Sequence, residues 1–241
     1  MRPLIILLAV GQAFSQSNLD KMFDPKLNVA QRNDACFALR GANTPDALDA
    51  MRKAMRIDML RACAGENLRQ AGAIDQLRDA LTDELPMVRA TAARLLGTFR
   101  NPELIEPLTN AAADSDLLVA TNAVQSLSQY GGRTGVPQLQ SIAKKGGLQG
   151  VMALDRLLEK NAPEALPVAR GFLTVPDGSA QLTALRVLAK MGDPSDLPTL
   201  RKIAAVKHEI NSHQRGFGLM PAIDLARVAQ IAITEIEKRK S

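Results

Sequence analysis

The chain has no tryptophan, a single tyrosine and only 3% aromatic residues among its 241. Sheet proteins draw on aromatic and β-branched side chains, so this scarcity argues against strands. It favours helices packed closely through Ala, Leu, Ile, Val and Met. There are two histidines, His208 and His213. Their spacing suits neither one helix face nor a zinc-ligand set, and no third ligand stands near, so neither a metal site nor a cofactor is expected. No Ser-His-Asp or Cys-His arrangement, no Gly-rich phosphate loop and no general base outside that short stretch stands out, so catalytic residues are not expected. No later segment reaches the roughly 18 uninterrupted apolar residues of a membrane span. The formal charge is +5 with a pI of about 9.4, but the bases are scattered among acids. Nucleic-acid binders concentrate theirs on one face, so nucleic acid is not an expected partner.

What the chain has in abundance is repetition. Apolar residues recur about every 31 positions: Ile74, Ile105, Val136, Leu166 and Leu197. Parallel series run Leu77, Leu108, Leu139, Ala169, Leu200, then Ala92, Ala123, Leu154, Leu185, then Leu95, Ser126, Leu157, Leu188. Four registers on one period predict an all-α solenoid of stacked antiparallel helix pairs rather than a domain around one core. Each unit reads as helix A followed by helix B. Helix A opens at a proline behind a capping residue, as at Thr44-Pro45, Asn101-Pro102 and Asp193-Pro194. Proline fits the first helical position because its missing N–H would be unpaired there, and the residue before it accepts from the next free amides. Glycines near the ends of B helices, Gly72, Gly97, Gly131 and Gly192, are expected to supply the left-handed closing conformation. Units fall at about 44–71, 72–100, 101–131, 132–161, 162–192 and 193–239, after a partial unit at 27–40.

The stretch Pro86-Met87-Val88-Arg89-Ala90-Thr91-Ala92-Ala93-Arg94-Leu95-Leu96-Gly97, preceded by Asp83, resembles the HEAT-repeat family in a short-period form. The family's average period is nearer 40 residues. The resemblance covers roughly residues 27 to 239. It implies a HEAT-like superhelix and a polar ladder between neighbouring units, built from that Asp and Arg. Only Asp83 and Arg89 keep both members, and Asp114 keeps the acid alone, so a continuous ladder is not expected.

Residues 1–15 read as a secretory signal peptide: Met1-Arg2, an apolar run Leu4 to Val10, then Ala13-Phe14-Ser15 before a cut at Gln16. Residues 16–26 read as a flexible lead, and 27–241 as the solenoid, closed by a capping unit at 193–239. After cleavage no stable membrane span remains, and the protein is expected to be exported, to a bacterial periplasm or beyond. Cys36 and Cys63 then meet an oxidising compartment and either bridge or remain small buried side chains.

Two surfaces are candidates for protein binding. The first is the insertion Lys207 to Met220, with His208, His213, Arg215 and Phe217; it is either a recognition loop or a cover over the open end. The second is the outward face of the B helices, with the stripes Arg94, Gln125, Arg156, Val187 and Ala93, Val124, Asp155, Arg186. The sequence-based expectation is an exported scaffold or adaptor for an unidentified protein partner, without catalytic activity. The alternative is a lyase-like or accessory protein holding a small ligand in the concave groove.

Overall fold

A computed structural model of the chain describes residues 18–205 and 224–239. The expected signal peptide and the insertion 207–220 lie outside the described residues. Within them all regular elements are helical, and the chain forms two compact units, residues 1–130 and 131–241.

The first unit holds α1 (residues 18–23), α2 (Val29–Ala38), α3 (Pro45–Ala54), α4 (Asp58–Gln70), α5 (Ile74–Asp79), α6 (Pro86–Gly97), α7 (Ile105–Ala111) and α8 (Leu117–Ser128). The second holds α9 (Val136–Lys145), α10 (Gly147–Glu159), α11 (Ala165–Phe172), α12 (Gly178–Met191), α13 (Leu197–Ala205) and α14 (Leu225–Lys238). In each unit A and B helices pair, and successive B helices stack: α2, α4, α6 and α8 in the first, α10, α12 and α14 in the second. The prolines sit where the sequence places them. Thr44 caps α3 by accepting from the Ala47 amide, while Asn101 and Asp193 cap the 3₁₀ turns that lead into α7 and α13.

Three of the four repeat registers are core. Leu77, Leu108, Leu139, Ala169 and Leu200 are fully buried, as are Ala92, Ala123, Leu154 and Leu185, and Leu95, Ser126, Leu157 and Leu188 are buried beside them. The series beginning at Ile74 is only partly buried, apart from Val136. Ser126 looks like a fault in its register, and Gly97 on the neighbouring helix explains it. A Cβ on Gly97 would lie 2.4 Å from the Ser126 Cβ and 2.9 Å from its Cα. Small residues on both helices let α6 and α8 approach closely, and the buried Ser126 hydroxyl donates to the Ala93 carbonyl at 2.8 Å.

That close approach corrects the expected role of the glycines. Gly97 is helical and lets two helices meet, and Gly192 is extended, with φ −63° and ψ 159°. In the four B-to-A turns from α4 to α11 a left-handed φ falls at Gly72 (68°), Arg100 (51°), Gly132 (54°) and Asn161 (51°). Two of these four are not glycine, so the turn imposes its conformation on residues that disfavour it.

One further expectation changes. Residues 18–23, expected in a flexible lead, form a helical turn whose Leu19 and Met22 are buried. The Met22 carbonyl accepts from Arg32 Nε at 2.9 Å. In α14 the inward stripe is Leu225, Ala229, Ala232, Ile233 and Ile236, whereas Ile231 is half exposed. The three- and four-residue steps from Leu225 through Ala229 to Ile236 define that face, and Ile231 falls beside it.

Candidate functional site

The B-helix stripe divides into exposed and buried parts. Arg94 on α6 and Gln125 on α8 are exposed, as is Arg186 on α12, and Arg156 on α10 is partly covered. Val187, Ala93 and Val124, also expected to face outward, are fully buried. From α8 to α10 the helix starts are 30 rather than 31 residues apart, so the stripes shift by one position there, while Ala93 and Val124 lie on the inward face at the same register.

The charged members largely neutralise one another. Arg186 Nη1 pairs with Asp155 Oδ1 at 2.7 Å across α10 and α12, and Arg156 with Glu159 Oε2 at 2.6 Å. In the first unit Glu66 accepts from Arg69 Nε at 2.8 Å and from Gln70. The Arg69 hydrogen bonds hold the Glu66 carboxyl at about 2, against the opposing cost of its partial burial, with further help from Gln70 and the charge of Arg94. His208, His213, Arg215 and Phe217 lie outside the described residues.

Cys36 and Cys63 form a disulfide with their Cα atoms 6.3 Å apart, tying α2 to α4. The buried Asn67 donates from Nδ2 to the Cys36 carbonyl at 2.7 Å, one turn beyond Cys63. Nothing in the repeat pattern singles out Asn67; its only signal is an amide at a core position of α4.

The polar ladder runs between units rather than within one. Arg89 Nε and Nη2 bind both oxygens of Asp114 at 2.8 and 3.0 Å, and its Nη1 donates to the Asp83 carbonyl at 2.8 Å. Asp83 itself is approached by Arg56 at 3.6 Å. The Arg89 hydrogen bond lowers the Asp114 carboxyl below its usual range. In the second unit Arg170 on α11 binds Asp196 at 2.7 Å and Asp193 at 2.7 Å, which holds its guanidinium firmly protonated. This pairing stands outside the ladder positions: the arginine is on helix A, and the acids are at the start of the next A segment.

A cleft of about 590 Å³ opens between α1 and α3. Leu19 and Phe23 form one wall, and Asp20, Asp24, Asp46 and Asp49 bring carboxylates to it, with Lys53 at the rim. Asp49 is engaged by Lys53 at 2.7 Å and Arg52 at 3.0 Å, and hydrogen bonding from Lys53 keeps it ionised below the usual carboxylate range. Such a cleft suits a cation with an apolar stem. Sequence reading misses it because α1 falls within the expected flexible lead. Among the described residues no group of three or more His, Cys, Asp or Glu is arranged to hold a metal ion, and no helix is long and apolar enough to cross a membrane.

Comparison with known proteins bears on this geometry. The HEAT repeats family matches residues 74–151. Human deoxyhypusine hydroxylase is 33% identical over 125 residues, which cover 46% of this chain and 41% of that protein. The mouse protein of the same name is 36% identical over 107 residues, covering 41% and 35%. The chain thus spans about two fifths of the length of the curated relatives it matches. Among solved structures, the Escherichia coli protein YibA superposes with a TM-score of 0.56 at 14% identity, covering 96% of each chain, a likeness of fold. The named relatives are enzymes, and this overturns the expectation of a scaffold without catalytic activity. HEAT repeats typically mediate protein interaction, and the partner of this chain is not identified by any of these likenesses. With its period and its stacked helix pairs, this chain is an all-α solenoid whose residues 74–151 match the HEAT repeats.

Proposed function

We propose that the chain is a HEAT-repeat enzyme whose reaction belongs to the class for which its curated relatives are named, hydroxylation, and that it acts on a protein substrate presenting a cationic group. One observation carries the reading: the 33% identity to human deoxyhypusine hydroxylase over 125 residues. The substrate's charge is inferred separately, from the four aspartates and the Phe23 wall of the cleft between α1 and α3. A carboxylate-lined cleft with an aromatic side favours an amine on an aliphatic stem through Coulombic and cation–π attraction.

Hydroxylation of carbon calls for a centre that activates an oxidant, commonly a metal held by histidines and carboxylates. The described residues do not fit such a centre, since no three candidate ligands converge. Both histidines of the chain lie outside them. The part we assign to the described repeats is therefore binding and orientation of the substrate, and no oxidative step is placed on them.

We further place the protein in an oxidising, exported compartment. The layout of Met1 to Ser15 supports this, as does the bridge between Cys36 and Cys63, because disulfides persist in such compartments. Recovery of the native protein with Gln16 as its first residue would agree, and recovery only with residues 1–15 retained would overturn the export reading.

The activity test incubates the full chain, with its metal content measured, with a deoxyhypusine-bearing protein and with lysine-bearing controls. Mass spectrometry should find the gain of one oxygen atom on a substrate, dependent on the chain. Absence of that gain across these substrates with metal-loaded chain would refute the hydroxylase reading.

A further inference from the structure

We infer that the edge formed by the first turns of α4, α6 and α8 is a docking surface for an extended, basic segment of another protein with an apolar side chain at every third position. This goes beyond the proposed reaction and does not depend on it. In the first unit each of these stacked helices opens with a large apolar side chain left in solvent. Met59 is 40% exposed, Met87 48%, Leu117 48% and Leu118 44%. Nothing in the folding of a helix start requires this, since polar residues are the usual occupants of exposed first turns. The same place on α10 carries Leu148, 49% exposed, so the feature recurs with the repeat.

The charge beside this row selects the occupant. In the first unit an acid lies within three residues before each of these groups: Asp58 directly before Met59, Glu84 three before Met87, and Asp116 directly before Leu117. The side chains of Asp58 and Glu84 are 92% and 87% exposed. Arg56, Arg61 and Arg89, the bases of this edge, are drawn into pairs with Glu84, Asp58 and Asp114. Asp83, Asp114 and Asp116 add to the acids, so the edge carries more carboxylates than arginines. The helix N-termini oppose this with partial positive charge, which Asp116 offsets at α8 by accepting from the Leu118 and Val119 amides. A partner with lysine or arginine between its apolar groups complements such an edge, whereas an acidic one is repelled.

Spacing selects the partner's conformation. Stacked helices lie about 8–10 Å apart. In the polyproline II conformation every third side chain returns to the same face after about 9 Å, at about 3.1 Å per residue. One apolar group of the partner would then meet each helix start.

The test uses the full chain and a synthetic proline-containing peptide with leucine at every third position and lysine between, labelled for fluorescence anisotropy. Binding should be saturable, weaken with salt, and fall about tenfold or more in a variant carrying Met59→Ser, Met87→Ser and Leu117→Ser. Those positions are exposed, and an unchanged circular dichroism melt shows the variant folded. Ile231→Ser, which removes an apolar group of similar exposure on α14, should leave binding intact. Equal affinity for a peptide of scrambled leucine spacing would overturn the proposal, as would equal affinity for one with glutamate in place of lysine. So would binding that survives the triple variant, or sedimentation showing that the row instead joins two copies of the chain.

Discussion

Replacing Gly97 with alanine tests the packing argument most directly, because side-chain propensity and packing geometry predict opposite signs. Propensity alone favours alanine in a helix by up to about 1 kcal/mol, and by less at its last residue. Geometry opposes it. The new Cβ would lie 2.9 Å from the Cα of Ser126, a backbone atom that cannot rotate away, as well as 2.4 Å from its Cβ. The helices α6 and α8 must then separate. Overpacking of this kind costs about 1–3 kcal/mol, and parting the helices also stretches the Ser126–Ala93 hydrogen bond, which contributes about 1 kcal/mol. The net expectation is destabilisation by about 2 kcal/mol, a fall of about 4–8 °C in Tm for a chain of this size. Gly171→Ala is the internal control. Gly171 lies within α11 and a Cβ there meets nothing within 4 Å, so the same chemical change should be neutral or stabilise by up to about 1 kcal/mol. Adding Ser126→Gly to Gly97→Ala removes the clash between side chains but leaves the new methyl pressed against the backbone of residue 126. The double variant should therefore restore only part of the loss, as a non-additive pair in a double-mutant cycle. Urea and thermal melts by circular dichroism read all five proteins, Ser126→Gly alone included. A Gly97→Ala variant as stable as the parent, or the absence of coupling to Ser126, would refute the close-approach account.

Three other outcomes are expected. Thiol titration of the oxidised, unfolded chain should find no free cysteine, and Cys63→Ser should lower stability by about 3 kcal/mol, given the 27-residue separation of the bridged pair. Arg89→Ala should cost about 2–3 kcal/mol in urea melts, because it strips a bidentate partner from the mostly buried Asp114. Arg89→Lys should recover little of this, since one ammonium cannot reproduce the two-pronged grip. Glu66 is depressed from its ordinary 4.5 to about 2 in the folded chain. The unfolded chain therefore takes up this proton first, so the stabilisation is complete above about pH 4.5 and lost as pH falls towards 2. Glu66→Gln should flatten that part of the acid-denaturation curve.

The period is readable because one packing demand recurs: each helix A must present an apolar residue at the place held by Leu77, Leu108, Leu139 and Leu200, and sequence records that demand directly. Proline behind Thr44, Asn101 or Asp193 is readable for the same local reason, a cap needing no distant partner. Interactions that depend on how neighbouring units meet are not. Ser126 is explained only by Gly97 opposite it, and the partner of Arg89 is Asp114 of the next unit rather than the nearer Asp83. Cys36 and Cys63 show themselves as a possible pair, but their approach depends on α2 packing against α4, which spacing does not fix. Of the expected surface, Arg94 and Gln125 are exposed as read, while Arg156 and Arg186 are engaged with Glu159 and Asp155. The α1 cleft goes unseen because two apolar residues, Leu19 and Met22, are too few to set a period. Function is the least readable of all, since a repeat preserves its core and leaves its surface free to vary.

The left-handed turn residues at 72, 100, 132 and 161 have a consequence for how such a chain changes length. Glycine holds the position twice, arginine once and asparagine once, yet φ is left-handed each time. What is inherited from repeat to repeat is a torsion angle rather than a letter, and an alignment of letters would see four dissimilar linkers. Joints of equal conformation are interchangeable. A segment cut at Gly72 and Arg100 begins and ends at a left-handed residue, so its loss or duplication would rejoin like φ to like. Where the joint recurs, a helix pair can therefore be gained or lost without a new kind of turn, much as a chain of like couplings accepts another link; the extended turn at Gly192 is not such a joint.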